Sequence, residues 1–319
     1  MRLTHCIRNW WLCAFILIAA LSAVRAEEPW IIDPHTHFKS DAQVAHESKT
    51  NKHHPKDTLG MAMTPEDYRS LADRLGIQAT MIVEAVEQDQ PQFNDWVLAQ
   101  AKSDLVCGYV ARGDLTEEDF LTHHERYVKS GYLNGYRFRM DELAAHLDHE
   151  TARRHLQKLD EEGMVIDLLI AHQHAADAIR LAREFQGLKI VLNHCLRARI
   201  VDGKISAAWK KVLIDCAQEA NIYCKLSSII NFAEVKAFED RAPVDLSHYL
   251  PVLNPCFDTF GEDRVIFATN WAVCEHFGKV DDVVRIMREF LEKKSYAALK
   301  KGMRENAIRI YRISADKLR

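Results

Sequence analysis

The sequence predicts a single (β/α)8 barrel, on three observations. From Glu27 onward short β-branched runs alternate with longer amphipathic stretches, with no low-complexity linker and no break in composition. That alternation is the pattern of parallel strands joined by crossover helices. Eight such units fit into roughly 290 residues, the size of one barrel. Histidines, arginines and amides gather just after the apolar runs, where a barrel carries its chemistry.

The strands are expected at Trp30 to Asp33, Ala79 to Ala85, Leu105 to Val110, Gly135 to Phe138, Val165 to Ile170, Lys189 to Leu192, Ile222 to Leu226 and Arg264 to Ala268. Helical periodicity falls on Thr64 to Leu75, Thr116 to Ser130, Thr151 to Glu162, Ala175 to Phe185, Ala208 to Ala220 and Val280 to Glu292. Thr64-Pro65-Glu66-Asp67 supplies a cap, a first-turn proline and acidic residues at the positive end of a helix dipole, and Gly76 ends that helix. Glu161-Glu162-Gly163 and Gln186-Gly187 stop two others in the same way. Lys39 to Met63 lacks a clear helix and contains His46, His53 and His54; a loop over the barrel mouth is expected, its histidines solvated.

Reading along the strand ends gives the candidate site. Ile31-Ile32-Asp33-Pro34-His35-Thr36-His37-Phe38 closes the first strand with imidazoles at alternating positions, which share one face and can converge on one ion. Strand two ends near Glu84, strand four at Arg137 and Arg139, strand five at His172 with Gln173 and His174. Strand six ends at Asn193 and His194, strand eight at Asn270 and Trp271, with Glu275 beyond. Each has a plain structural reading as well. His172 or His194 can hydrogen-bond a backbone carbonyl, Arg137 can pair with Glu84, and Trp271 can be core. Functionally, the guanidinium fork of Arg137 suits a carboxylate or carbonyl oxygen, with Arg139, Glu84 and Trp271 completing a substrate pocket. Lys225, inside strand seven, points either into the barrel or out to a helix.

Before Glu27, Arg2 and Arg8 precede an apolar run from Trp10 to Val24, followed by Val24-Arg25-Ala26. Residues 1–26 therefore read as a secretory signal peptide, leaving a barrel domain over 27–319 in a secreted or periplasmic protein without a stable membrane span. Losing them removes three arginines and no carboxylate, so the formal charge goes from −4 to −7, which gives no electrostatic reason to bind nucleic acid or anionic lipid. Six of the eight cysteines remain and none forms a CxxC pair; most are expected as buried small apolar residues. The expected partner is a small-molecule substrate, and the sequence sets no oligomeric state.

The chain resembles the amidohydrolase-related family of the amidohydrolase superfamily, in its sugar-lactonase and 2-pyrone-4,6-dicarboxylate lactonase branch. The resemblance runs from Ile31 to about Tyr311. Its segments are Ile32 to Phe38, Pro65 to Gly76, Gly135-Tyr136-Arg137, Ile166 to Gln173, Val191-Leu192-Asn193-His194, Tyr223 to Ser227, Asp263 to Trp271 and the closing helix Glu305 to Tyr311. It implies a metal or electrophilic site near His35, His37 and His172, an aspartate after strand eight that activates water, and cleavage of a lactone or related ester. Some relatives bind zinc, others hydrolyse lactones without a tightly held metal, and aromatic-acid decarboxylases share the scaffold. The sequence departs from the family pattern at Asn270 and Asn193, which replace aspartates. It departs also at Cys195-Leu196-Arg197, which lacks the usual glycine-lysine turn, and at Ala272, which replaces a proline.

The function expected is thus a metal-dependent or metal-assisted hydrolase of a small, sugar-derived lactone or ester. His35, His37 and His172 would hold a divalent ion, zinc first. Arg137, His172, His194 and Asn270 would carry the catalytic roles, although an amide cannot serve as general base. The alternatives are decarboxylation of an aromatic or enol acid, and a catalytically impaired barrel that binds a ligand.

Overall fold

The computed structural model describes residues 31–85 and 91–318, so the expected signal peptide lies outside the described residues. Eight parallel strands follow one another in chain order: β1 (Ile31–Thr36), β2 (Ile77–Val83), β3 (Val106–Ala111), β4 (Leu133–Arg139), β5 (Val165–Leu169), β6 (Lys189–Leu192), β7 (Ile222–Leu226) and β8 (Val265–Phe267). Just beyond the strand ends, a Thr36–Trp271 bridge and the His37 amide on the Trp271 carbonyl (2.8 Å) join the last strand to the first. Asp33 reinforces the seam by accepting from the backbone N–H and hydroxyl of Thr269 and from the Tyr68 hydroxyl. The chain is therefore a (β/α)8 barrel, as its periodicity predicts.

Both faces of each strand are covered, which is why the strands read as nearly continuous apolar runs. Residues such as Tyr136, Phe138, Ile166, Leu168, Cys224 and Leu226 pack outward among the helices. The alternate set, Ile32, Met81, Val83, Val110, Val165, Val191 and Ile266, fills the interior together with Ala307, Ile310 and Tyr311 of the closing helix. Three buried inward positions are instead charged: Arg137, its register partner Asp167 on the neighbouring strand, and Lys225.

Element boundaries differ from expectation where special chemistry intervenes. The first strand runs on through Pro34 to Thr36, and the second starts at Ile77, directly after the Gly76 cap with its φ of 70°. Lys39 to Met63 is not a bare loop: it carries a helix at Asp41–Glu47, a 3-10 turn at Thr58–Gly60 and a Lys39–Met63 bridge that closes its base. The helix Leu246–Phe260 escapes the helical signals because Pro251 and Pro255 lie inside it. No helix among the described residues is long and apolar enough to cross a membrane.

Candidate active site

The strand ends bring three imidazoles together. His35 lies at the centre, its ring centroid 4.9 Å from that of His37 and 4.8 Å from that of His194. All three are buried, as are Arg137 and Asn270. Above them opens a cavity of about 430 Å³ whose walls include His37, His194, Arg137, Arg139, Ser228 and Asn270. Two other recesses, of about 250 and 540 Å³, have none of the strand-end histidines in their walls.

His35 is positioned by a lysine. The Lys225 ammonium has three N–H donors and three acceptors: Asp167 Oδ2 at 2.6 Å, the Pro34 carbonyl at 3.3 Å and His35 Nδ1 at 3.3 Å. An ammonium accepts nothing, so His35 Nδ1 must be the lone-pair nitrogen and Nε2 must carry the ring proton. That Nε2 is buried with no partner among the described residues. Asp167 is held from the other side by the Tyr311 hydroxyl at 2.6 Å, and the Lys225 charge lies 5.0 Å from the Tyr311 ring centre. Burial lowers the Lys225 pKa while Asp167 opposes the shift.

His37 has the opposite tautomer. Its Nδ1 donates to the Val83 carbonyl at 2.9 Å, leaving Nε2 as a lone pair, and that atom faces Asn270 Oδ1 at 3.1 Å. Two acceptors this close need a cation between them, or the amide turned over so that its NH2 donates to His37 and Ser228 Oγ, now 2.9 Å from Asn270 Nδ2, donates back. His194 Nδ1 meets Ser227 Oγ at 2.8 Å. Burial, reinforced by nearby positive charge, takes His37 down to about 3 and puts His35 and His194 well below the usual imidazole range. All three rings are therefore neutral at pH 7.

Arg137 donates from Nη1 to the Glu84 backbone carbonyl at 2.8 Å, and Arg139 Nη2 meets both Glu84 carboxylate oxygens at 3.2 and 3.3 Å. Glu84 thus lies behind two arginines instead of reaching the cavity. Burial pushes Arg137 down to about 10, so it stays charged at neutral pH. His172 stands on the 3-10 turn His172–His174, half-buried and outside the cavity walls. His35, His37 and His172 do not form a ligand group: among the described residues the one set of three histidine, cysteine or carboxylate ligands within 4.8 Å is Cys195, Cys224 and Cys256, all buried. Trp271 is core, stacked on Tyr68 at 4.6 Å, and Glu275 accepts from the Val280 amide at the start of a helix. All six described cysteines are free and buried.

Within the cavity, the donor set fits a divalent ion at one place. His37 Nε2 and Asn270 Oδ1 present facing lone pairs, so these two are the residues that would hold it, and His194 lines the same cavity. His35 would not, because Lys225 makes its free nitrogen a donor.

The four-residue segment His194–Arg197 has φ between 48° and 55° throughout, a turn of left-handed helix built without glycine. Each such residue costs about 1–2 kcal/mol. The Trp209 indole N–H on the Cys195 carbonyl (2.8 Å) helps to hold it. The sequence signals that point to the unforeseen parts are few: a lysine in an apolar strand, an aspartate in another, and the arginines of Leu196-Arg197-Ala198-Arg199.

A family model described as an amidohydrolase matches residues 32–313. An L-fucono-1,5-lactonase of Burkholderia ambifaria is 25% identical over 256 residues, covering 77% of this chain and 83% of that protein. An amidohydrolase from Burkholderia multivorans superposes with TM-scores of 0.78 with bound HEPES and 0.77 with bound zinc, at 20% and 21% identity, covering 89% of this chain and 99% of that one. A probable 2-pyrone-4,6-dicarboxylic acid hydrolase from Acinetobacter baumannii with citric acid bound superposes with a TM-score of 0.69 at 16% identity, covering 88% of this chain and 99% of that one. These structural likenesses show the shared barrel.

Proposed function

The chain belongs to the amidohydrolase family, and on that premise we propose that it hydrolyses a small lactone or ester, sugar-derived like the substrate named for its L-fucono-1,5-lactonase relatives. The observation that carries the reading is the meeting of His35, His37 and His194 beside Arg137 at the carboxyl rim of the barrel. Water adds to the lactone carbonyl, the ring C–O bond breaks, and a hydroxy acid leaves with net release of a proton.

Arg137 binds the carbonyl oxygen and stabilises the negative charge that develops on it, in a buried setting where such a charge pair is strong. Neutral His37 and His194 each have a lone pair able to hold the attacking water and take up its proton, then return it to the leaving alkoxide. Asn270 orients that water and does not deprotonate it. Lys225 acts one step back, fixing which nitrogen of His35 carries hydrogen. A divalent ion at His37 and Asn270 would supply Lewis acidity and a more acidic bound water.

The test is proton release from a lactone panel in a pH-stat, with Arg137→Met and His37→Ala each expected to lower kcat/KM by about 100-fold or more. Unchanged turnover in both variants overturns the assignment. Carbon dioxide evolution from aromatic acids, without ring opening, would point instead to the decarboxylase reading. Export, inferred from Arg2, Arg8 and the apolar run to Val24, is tested by whether the mature amino terminus is Glu27.

A further inference from the structure

We propose that Cys195, Cys224 and Cys256 form a binding site for one soft monovalent metal ion, copper(I) first, in the wall between the barrel and its outer helices. The site is separate from the strand-end cavity and does not depend on the hydrolase reading.

Three elements bring the thiols together. Cys195 sits in the left-handed turn His194–Arg197, Cys224 on β7 and Cys256 in the helix Leu246–Phe260. Their sulfurs lie within 4.8 Å of one another, all three residues are wholly buried, and none is in a disulfide. Sulfurs in a triangle about 2.3 Å from a central ion stand about 4.0 Å apart, so the cluster needs only small side-chain rotations to close on one. Thiolate is a soft ligand that selects copper(I) and zinc. The route in is the turn itself. His194 and Arg197, on either side of Cys195, line the cavity, and four successive residues at positive φ make this segment less costly to open than an ordinary helical turn.

Coordination number and charge choose between the two metals. Structural zinc is almost always four-coordinate, and among the described residues no fourth histidine, cysteine or carboxylate joins the set. Zinc on three thiolates would also leave a net negative charge buried in an apolar wall. Copper(I) accepts two or three sulfur ligands and is neutralised by a single thiolate. The cluster is arranged to supply one. The S–H groups of Cys195 and Cys256 donate toward Cys224 and favour its thiolate, while burial pushes Cys195 and Cys256 themselves well up. The Lys225 carbonyl, 3.7 Å from Cys195 Sγ, disfavours a second negative charge at that residue. The ion takes the place of the one proton that Cys224 gives up to solvent, Cys195 and Cys256 bind as neutral thiols, and no electron moves.

The experiment titrates the reduced, purified protein with copper(I) under argon against a chromophoric copper(I) chelator, and reads the atoms around the bound ion by X-ray absorption. We expect one ion per chain, with two or three sulfur neighbours about 2.3 Å away and no nitrogen. Cys256→Ser should lower the affinity by about 100-fold or more, whereas Cys107→Ser, which removes a buried thiol on β3, should leave it unchanged. Should Cys256→Ser fail to fold, Cys195→Ser is read in its place. Nitrogen neighbours, as His37 would give, overturn the site, and so does an affinity that neither variant lowers. Because the absorption spectrum is taken on the unaltered protein, it decides even if both variants misfold: coordination by sulfur alone at one ion per chain sustains the site, and no bound ion overturns it.

Discussion

Lys225 is wholly buried, and every hydrogen of its ammonium is committed to Asp167, Pro34 or His35. Removing one member of such a buried pair leaves the other charge exposed to a low dielectric. Lys225→Met is therefore expected to cost about 3–5 kcal/mol in urea unfolding. The double variant Lys225→Met/Asp167→Asn should recover much of that stability without recovering activity, because nothing then dictates the His35 tautomer. Full activity in a stably folded double variant would remove Lys225 from the mechanism. Asn270 offers a second test. Asn270→Asp places a carboxylate against His37 Nε2, and the affinity for zinc, read by metal content after dialysis, should rise by about ten-fold or more. An unchanged metal content would mean that the ion does not sit between these two residues.

At the level of elements, the turn His194–Arg197 trades stability for placement. Arg197→Gly relieves a left-handed residue on an exposed side chain, a gain of about 1–2 kcal/mol against about 0.5–1 lost to the greater freedom of unfolded glycine. The melting temperature should rise slightly, read by thermal denaturation. Gly76→Ala tests the reverse case. The cap has φ 70°, and a methyl group added there would meet nothing within 4 Å, so any loss, expected at about 1 kcal/mol, comes from conformation alone. These two positions also mark how far the sequence is legible. Gly76 announces a helix end because only glycine takes that conformation freely, and the strands announce themselves by apolar runs closed by polar residues. His35, His37, His194, Arg137 and Asn270 are legible at those ends for the same reason. The sequence groups His172 with His35 and His37, but the 3-10 turn after β5 takes it off the cavity, a change of direction that no local residue pattern encodes. The roles of Lys225, Asp167 and Tyr311 depend on side chains meeting across the barrel from positions far apart in sequence.

Across the whole molecule, burial of neutral imidazoles sets the response to acid. His35, His37, His194 and His146 all have folded pKa values lowered chiefly by burial, His37 to about 3. Unfolded, each titrates near 6.5. Between the two values the unfolded chain binds more protons, so stability is full above pH 6.5 and falls as pH drops toward the folded value. The slope approaches about 1.4 kcal/mol per pH unit for each ring. Chemical denaturation midpoints should therefore fall steeply from about pH 7 to about pH 5, before carboxylates titrate, and a flat profile there would mean that the rings are not buried and neutral. The same rings, already neutral, should leave kcat/KM without an inflection near pH 6.5.

The brace on Asp167 comes from Tyr311, which follows all eight strands in the chain. As the chain emerges amino end first, the barrel wall can be complete while Asp167 and Lys225 still lack that hydroxyl. The brace behind Lys225 and His35 is thus the last piece of the site to arrive, and a chain interrupted before Tyr311 would be a nearly finished but uncalibrated vessel.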